Sequence, residues 1–191
     1  MKGEIKNEIQ KSIDTKLKVL NDNEIICKIE LMVKKSIESL KNGGKIIFCG
    51  NGGSFGDSQH LAAELVSRLR FDRSPLASMA LGTNTSNLSA IGNDYGYEKV
   101  FTREILALGK KEDIFIPIST SGNSPNVIDA IITAQSLGIQ VFPLSGGNGG
   151  KMANICECLV VPSNSTEKIQ EAHIMIGHIY CGLIESTLFI K

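Results

Sequence analysis

The clearest indication of the fold in this 191-residue chain is the stretch Lys45-Ile46-Ile47-Phe48-Cys49-Gly50-Asn51-Gly52-Gly53-Ser54. Its short, continuously apolar run predicts a β-strand that is buried on both faces, as in a parallel sheet. The glycines directly after it predict a tight turn in which the backbone can approach a ligand closely. The sequence therefore predicts a buried strand that ends in a loop suited to a small molecule.

The rest of the chain repeats this pattern of a short apolar strand followed by a helix. Strands are predicted over residues 45–49, 76–81, 113–118, 140–144 and 158–161. Helices are predicted near residues 56–70, 86–93, 97–109, 124–137, 148–154 and 166–189. This alternation predicts an α/β fold, with a doubly wound, parallel five-stranded sheet flanked by helices.

Two amphipathic helices are predicted before the sheet. The first has apolar residues at helical spacing, namely Ile5, Ile9, Ile13, Leu17 and Leu20. The second starts near Glu24 and ends at Asn42-Gly43-Gly44. Such apolar stripes cover either a sheet or a neighbouring subunit. No linker or change of composition follows them, so we expect one domain over residues 1–191, with segment 1–43 packed on it.

Composition excludes several classes of function. The net charge is zero, so nothing in it favours nucleic acid or an anionic membrane as a partner. No apolar run of about 18 residues predicts a transmembrane span, and the N-terminus has no signal-peptide core. The five cysteines are predicted to be reduced, buried thiols, which favours a cytoplasmic protein.

Two loops directly follow predicted strands. They are Gly50-Asn51-Gly52-Gly53-Ser54 and Ser119-Thr120-Ser121-Gly122-Asn123-Ser124. Ligands bind beyond the carboxyl ends of parallel strands, and glycine backbone, helix N-termini and hydroxyls all suit phosphate oxygens. A plain turn with a helix N-cap is the alternative, since Ser and Asn are favoured there. Four hydroxyls within six residues of the second loop favour phosphate.

Nucleotide-binding motifs do not fit these loops. The dinucleotide pattern would need a third glycine where the chain has Phe55, and no P-loop string occurs. Neither loop contains a lysine. A monophosphate on a small molecule therefore fits better than a triphosphate.

Polar pairs on two predicted helices are candidates for chemistry. His60 and Glu64 are four residues apart and share one helix face, while Gln170 and His178 share one side of the last helix. An ordinary surface pair is the alternative for His60 and Glu64. For Gln170 and His178 the alternative is a pair of hydrogen-bonded core groups.

A specific resemblance rests on five strings. They are Gly50-Asn51-Gly52-Gly53-Ser54, Gln59-His60-Leu61-Ala62-Ala63-Glu64-Leu65, Ala90-Ile91-Gly92-Asn93-Asp94, Ile118-Ser119-Thr120-Ser121-Gly122-Asn123-Ser124 and Lys168-Ile169-Gln170-Glu171-Ala172-His173. In this order, over essentially the whole chain, they resemble the sedoheptulose-7-phosphate isomerases (phosphoheptose isomerases) of the sugar-isomerase (SIS) domain superfamily. The serine-rich loop alone would indicate only the superfamily.

The resemblance implies a role for each matching residue. Phosphate binding falls to Ser54, Ser119, Thr120, Ser121 and Ser124. The residues that line the sugar are Asn51, Gly52, Gly53, Arg68, Asn93 and Asp94, together with Glu64 and Gln170. Glu64 and His178 are the acid/base pair. One zinc ion per subunit is implied, with His60, Glu64, Gln170 and His178 as ligands.

The implied reaction interconverts sedoheptulose 7-phosphate and D-glycero-D-manno-heptose 7-phosphate through an enediol. It is the first step of ADP- or GDP-heptose biosynthesis for surface glycans such as lipopolysaccharide or capsule. The resemblance also implies a homotetramer with active sites at subunit interfaces.

Two rival functions belong to other branches of the superfamily. One is a non-catalytic tetrameric adaptor that binds the replication initiator protein. It keeps the serine loop but lacks the helix glutamate and the last-helix histidine, which this chain has as Glu64 and His178. The other is a sugar-phosphate-sensing or aminosugar-handling SIS domain, which usually lies within a longer chain.

Overall fold

The computed structural model of the chain describes residues 1–189, in which helices and strands alternate. Its helices are α1 (Lys2–Leu20), α2 (Asn23–Lys41), α3 (Gly53–Val66), α4 (Thr85–Tyr95), α5 (Val100–Leu108), α6 (Pro125–Ser136) and α7 (Thr166–Phe189). Its strands are β1 (Ile46–Gly50), β2 (Ser78–Ala80), β3 (Ile114–Ile118), β4 (Gln140–Val141), β5 (Leu144–Gly146) and β6 (Leu159–Val161). Short 3-10 turns span Tyr97–Lys99 and Met152–Asn154.

All pairs in the sheet are parallel, in the order β2-β1-β3-β5-β6, with β4 paired to the start of β3. This confirms the predicted doubly wound α/β fold. The last residue of β1, Gly50, lies opposite the last residue of β3, Ile118. The glycine-rich loop and the serine-rich loop therefore leave the same edge of the sheet side by side.

Two details of the sequence prediction are wrong. The single strand predicted over 140–144 is two short strands, because Pro143 has no N–H to continue the ladder, and the sheet accordingly has six strands. The helix predicted near 148–154 is only the 3-10 turn Met152–Asn154. Gly147, Gly149 and Gly150 have φ values of 64°, 80° and 55°, which a right-handed helix does not allow.

The sheet separates two hydrophobic cores. In β1, Phe48 points to the core under α1, α2, α3 and α7, whereas Ile47 points to the core under α5 and α6. This alternation follows from the two-residue period of a strand. Tyr180 of α7 is buried in the first core, where its hydroxyl donates to Ser36 Oγ of α2 at 2.6 Å.

Helices α3 and α7 pack side by side over that first core. A Cβ atom on Gly177 would lie 2.5 Å from Leu61 Cδ2, and Leu61 is itself fully buried. Further towards the start of both helices, the side-chain amide of Gln170 packs on Gly53, where a Cβ atom would meet Nε2 at 2.5 Å. Glycine at these contacts lets the two helices approach closely.

The two N-terminal helices differ in what they bury. The α2 stripe is buried through Ile25, Ile29, Met32 and Val33, so α2 covers the sheet as the sequence suggested. The α1 stripe behaves differently, since 45–65% of each of its apolar side chains stays exposed: Ile5, Ile9, Ile13, Leu17 and Leu20. Within residues 1–189, about half of this apolar face of α1 is left uncovered.

All five cysteines are unpaired thiols, as predicted. The prediction that all are buried is wrong for Cys27, which is exposed, and for Cys156, which is half-buried. The helices within residues 1–189 include none that combines the length and apolar character needed to cross a membrane.

Candidate active site

The glycine-rich loop places Ser54 in the first turn of α3. Gly52 is the N-cap residue, with a φ of 55° that favours glycine, and it offers no side chain to cap the helix. Ser54 is almost fully buried. The helix therefore begins at the sheet edge with an uncapped N-terminus, the arrangement that attracts an anion.

The serine-rich loop is held by its own hydroxyls. Ser119 Oγ and Ser124 Oγ are 2.9 Å apart, and Ser121 Oγ accepts from the backbone N–H of Asn123 at 3.2 Å. Ser124 precedes α6 but its side chain makes no capping bond to that helix. A plain N-cap therefore does not account for this hydroxyl. Thr120 and Ser121 line a cavity of about 470 Å³.

Two histidines and a carboxylate meet on the outer side of α3 and α7. His60 Nε2 lies 2.8 Å from His178 Nε2 and 3.1 Å from Glu64 Oε1. The His60 side chain is half exposed, whereas 19% of Glu64 is exposed. The structure thus joins a pair that is close in sequence to a histidine 118 residues away.

These three residues fit a zinc ion. One ligand atom from each lies within 4.8 Å of the other two. Imidazole nitrogen and carboxylate oxygen are common zinc ligands, and bonds of about 2.0–2.1 Å place tetrahedral ligand atoms about 3.3 Å apart. Small side-chain shifts from the observed distances would satisfy that geometry. Gln170, the fourth expected ligand, lies about two turns before His178, with its amide packed on Gly53.

Three other residues expected at the site lie away from the two loops. Arg68 lies beyond the end of α3, and that helix end is about 18 Å from Ser54 along the axis. Asn93 and Asp94 lie at the end of α4, where Asn93 Nδ2 donates to Asp94 Oδ1 at 2.8 Å. They line a separate shallow cavity with Thr85 and Ser86. Within one chain, the structure does not join these three residues to the serine-rich loop.

Asp57 is a neighbour of the cluster that the sequence analysis missed. It lies one turn before His60 on α3, and its Oδ2 atom is buried without a hydrogen-bond partner. Burial raises the pKa of Asp57, while the positive potential of His60 and His178 opposes that rise. The i,i+3 spacing of Asp57 and His60 was the available signal.

The remaining histidine, His173, faces the sheet. It is fully buried, and its Nε2–H donates to the carbonyl oxygen of Ser145 at 3.0 Å, because a carbonyl can only accept. Burial lowers the pKa of His173 to about 4, and the Ser145 bond opposes that shift. His173 is therefore neutral and anchors α7 to β5.

Comparison with known proteins places these features in context. The chain matches the SIS domain family over residues 10–146. It is 52% identical over 190 residues to a phosphoheptose isomerase of Aneurinibacillus thermoaerophilus, covering 99% of this chain and 96% of that protein. A phosphoheptose isomerase of Sulfurimonas denitrificans is 50% identical, over 99% and 97% of the two chains.

Solved structures give the same result. The phosphoheptose isomerase of Neisseria gonorrhoeae superimposes with a TM-score of 0.90 at 39% identity, covering 97% of this chain and 98% of that one. The phosphoheptose isomerase of Francisella tularensis gives a TM-score of 0.92 at 34% identity, over 96% and 97% of the two chains.

The buried His173 predicts a loss of stability in acid. Its pKa is about 4 in the folded chain and 6.5 in the unfolded chain, so only the unfolded chain gains a proton as the pH falls from 6.5 to 4. The free energy of unfolding should fall through that window, by about 3 kcal/mol from this group. His173→Asn keeps a donor for Ser145 but cannot titrate. Urea denaturation at about pH 7 and pH 4.5 should show a smaller loss in this variant. Equal losses in both proteins would contradict the assignment.

Proposed function

The chain belongs to the phosphoheptose isomerases, aldose–ketose isomerases built on a SIS domain, and we propose that it interconverts sedoheptulose 7-phosphate and D-glycero-D-manno-heptose 7-phosphate. The single observation that carries this proposal is the cluster of His60, Glu64 and His178. A phosphate-binding loop alone would hold a sugar phosphate, whereas this cluster offers groups that can move a proton and stabilise charge.

We assign the steps to residues as follows. Hydroxyls of Ser54, Ser119, Thr120, Ser121 and Ser124 hold the phosphate. Glu64 removes the proton from C1 of the ketose and returns it to C2, which forms the aldose through an enediol. His178 moves the hydroxyl proton from O1 to O2 and stabilises the negative charge that develops on these sugar oxygens.

A zinc ion held by His60, Glu64, Gln170 and His178 would add Lewis-acid stabilisation of charge on the sugar oxygens. The chemistry and spacing of the two histidines and Glu64 support this ligand set. Gln170 lies on the same helix as His178, with its side-chain amide packed on Gly53.

We further propose a homotetramer with active sites at subunit interfaces. The exposed apolar face of α1 supports an interface there, because an uncovered stripe of this size marks a contact surface. The remote positions of Arg68, Asn93 and Asp94 agree with sites completed by a second subunit. Residues 1–191 then act as one SIS domain, with segment 1–43 mediating assembly.

We also propose a cellular compartment and a pathway for the reaction. Five unpaired thiols support a reducing compartment, so we place the chain in the cytoplasm. There it would supply the first step of ADP- or GDP-heptose biosynthesis for surface glycans. None of the relatives named above is described as an adaptor for the replication initiator, so that alternative has no support among them.

Glu64→Gln and His178→Gln should each lower turnover of sedoheptulose 7-phosphate roughly 10²–10⁴-fold, because each removes one acid/base group. Formation of the aldose 7-phosphate by purified protein measures this, with circular dichroism to verify folding. Glu38→Gln is the matched control, since Glu38 is exposed on α2. Near-wild-type turnover in either site variant would overturn the assignment, and an inactive wild-type protein would overturn the function.

Zinc content should depend on the cluster. We expect about one zinc per subunit in the wild-type protein and almost none in His60→Ala, which removes a nitrogen ligand. His173→Asn, outside the cluster, should keep its zinc. Elemental analysis by mass spectrometry measures all three proteins. Equal zinc in His60→Ala and the wild type would contradict the ligand set.

The α1 face should control assembly. The wild-type protein should sediment at about four times the 20.6 kDa of one chain. Leu17→Glu should shift it to a lower mass, because a charge would be buried at the interface. Ile132→Glu, at a similarly exposed apolar residue of α6, serves as control. A monomeric wild type, or equal masses for the wild type and Leu17→Glu, would contradict this proposal.

A further inference from the structure

Three side chains from separate elements meet at Asn51, the residue that follows β1. Asn51 Nδ2 donates to Asn126 Oδ1 at 2.9 Å, and Asn126 Nδ2 donates back to Asn51 Oδ1 at 2.9 Å. The Tyr97 hydroxyl donates to Asn51 Oδ1 at 3.1 Å. Asn126 is 3% exposed, in the first turn of α6, and none of the steps assigned above uses it.

The orientation of both amides follows from one backbone group. The N–H of Val127 donates to Asn126 Oδ1 at 3.0 Å, and a backbone N–H can only donate. This contact fixes which end of the Asn126 amide is oxygen. Asn126 therefore presents its NH₂ group to Asn51, and the Asn51 atom that accepts from it must be the amide oxygen. The reciprocal pair fixes the Asn51 amide in turn.

These hydrogen bonds leave the Asn51 side chain with a single free hydrogen-bonding group. Both lone pairs of its Oδ1 are occupied, one by Asn126 and one by Tyr97. One hydrogen of its NH₂ group is given to Asn126. An amide has two donors and two acceptor lone pairs, so one N–H remains. Asn51 can offer a ligand one donor and no acceptor.

We propose that Asn126 and Tyr97 are positioning residues that make Asn51 a donor-only group for an accepting oxygen of the sugar. The inference rests on the proposed function, in which Asn51 lines the sugar. Negative charge that develops on a sugar oxygen in the enediol step strengthens a bond from such a donor. An Asn51 amide free to turn would present its oxygen as often as its nitrogen, and would repel that charge.

Asn126→Asp tests the proposal, since a carboxylate keeps the acceptor for Val127 but has no hydrogen for Asn51 Oδ1. The introduced carboxylate would face that oxygen, and because it accepts from the Asn51 amide in either orientation, it would no longer fix that amide. At about pH 8, kcat/KM should fall roughly 10–100-fold relative to the wild type. Once protonated, the introduced carboxyl group is again both donor and acceptor. The ratio of variant to wild-type kcat/KM should therefore recover several-fold as the pH falls to about 5.5, because burial raises a carboxyl pKa.

Controls separate this effect from a change of charge or fold. Asn42→Asp places the same charge at an exposed residue before β1, at the opposite edge of the sheet, and should keep a constant ratio to the wild type. Lys99 and Asp129, which pair at 2.6 Å beside this network, are present in every protein, so their titration cancels in the ratio. The proposal would be overturned if Asn126→Asp had the same kcat/KM as the wild type, or if its loss of kcat/KM did not change with pH.

Two further measurements cover the other outcomes. If Asn126→Asp does not fold, Tyr97→Phe removes the second donor from a half-exposed position, and should lower kcat/KM about 3–10-fold without loss of stability. Unchanged kcat/KM in that variant overturns the proposal. If the wild type does not interconvert the sugars, the proposed function fails. Calorimetric binding of sedoheptulose 7-phosphate then decides, because the same pH-dependent weakening in Asn126→Asp supports the inference and equal affinities overturn it.

Discussion

The close approach of α3 and α7 is the constraint that shapes the whole of this site. Gly177 lets α7 lie against the buried Leu61 of α3, since a Cβ atom there would come within 2.5 Å of that side chain. A histidine of the cluster is the sequence neighbour of each residue in this contact: His60 precedes Leu61, and His178 follows Gly177. Their ring nitrogens consequently lie 2.8 Å apart. A bulkier residue at 177 would separate the two histidines.

Helix α7 keeps its position through buried polar contacts in an otherwise apolar setting. Along its length His173 donates to Ser145 of β5, and Tyr180 donates to Ser36 of α2. Near its end, the buried carboxylate of Glu185 accepts from Arg73, whose guanidinium also donates to the backbone oxygen of Glu64. Each of these side chains has a hydrogen-bond partner, as buried polar groups generally do, although His173 Nδ1 is buried without one. Together they orient His178 and the end of α3 that bears Glu64.

The sheet contributes the other half of the site. Parallel pairing of β1 with β3 starts the glycine-rich and serine-rich loops at one edge, and the Asn51–Asn126 pair joins the glycine-rich loop to the first turn of α6. In the proposed mechanism, binding of phosphate and movement of a proton thus fall to different layers of the fold. The positions of the loops are set by backbone pairing, whereas those of the two histidines and Glu64 are set by helix packing.

Sequence alone was enough to predict the strands, the two loops and the pairing of His60 with Glu64, because each depends on residues close together in the chain. It missed the interruption of the strand at Pro143, and it was wrong about the helix near 148–154, where glycines with positive φ prevent a helix. It did not find Asp57 or Asn126. The folded chain was needed to join His178 to His60, 118 residues away, and to show that Asn93 and Asp94 line a separate cavity. Spacing in the sequence fixes contacts within one element, but contacts between elements depend on how those elements pack.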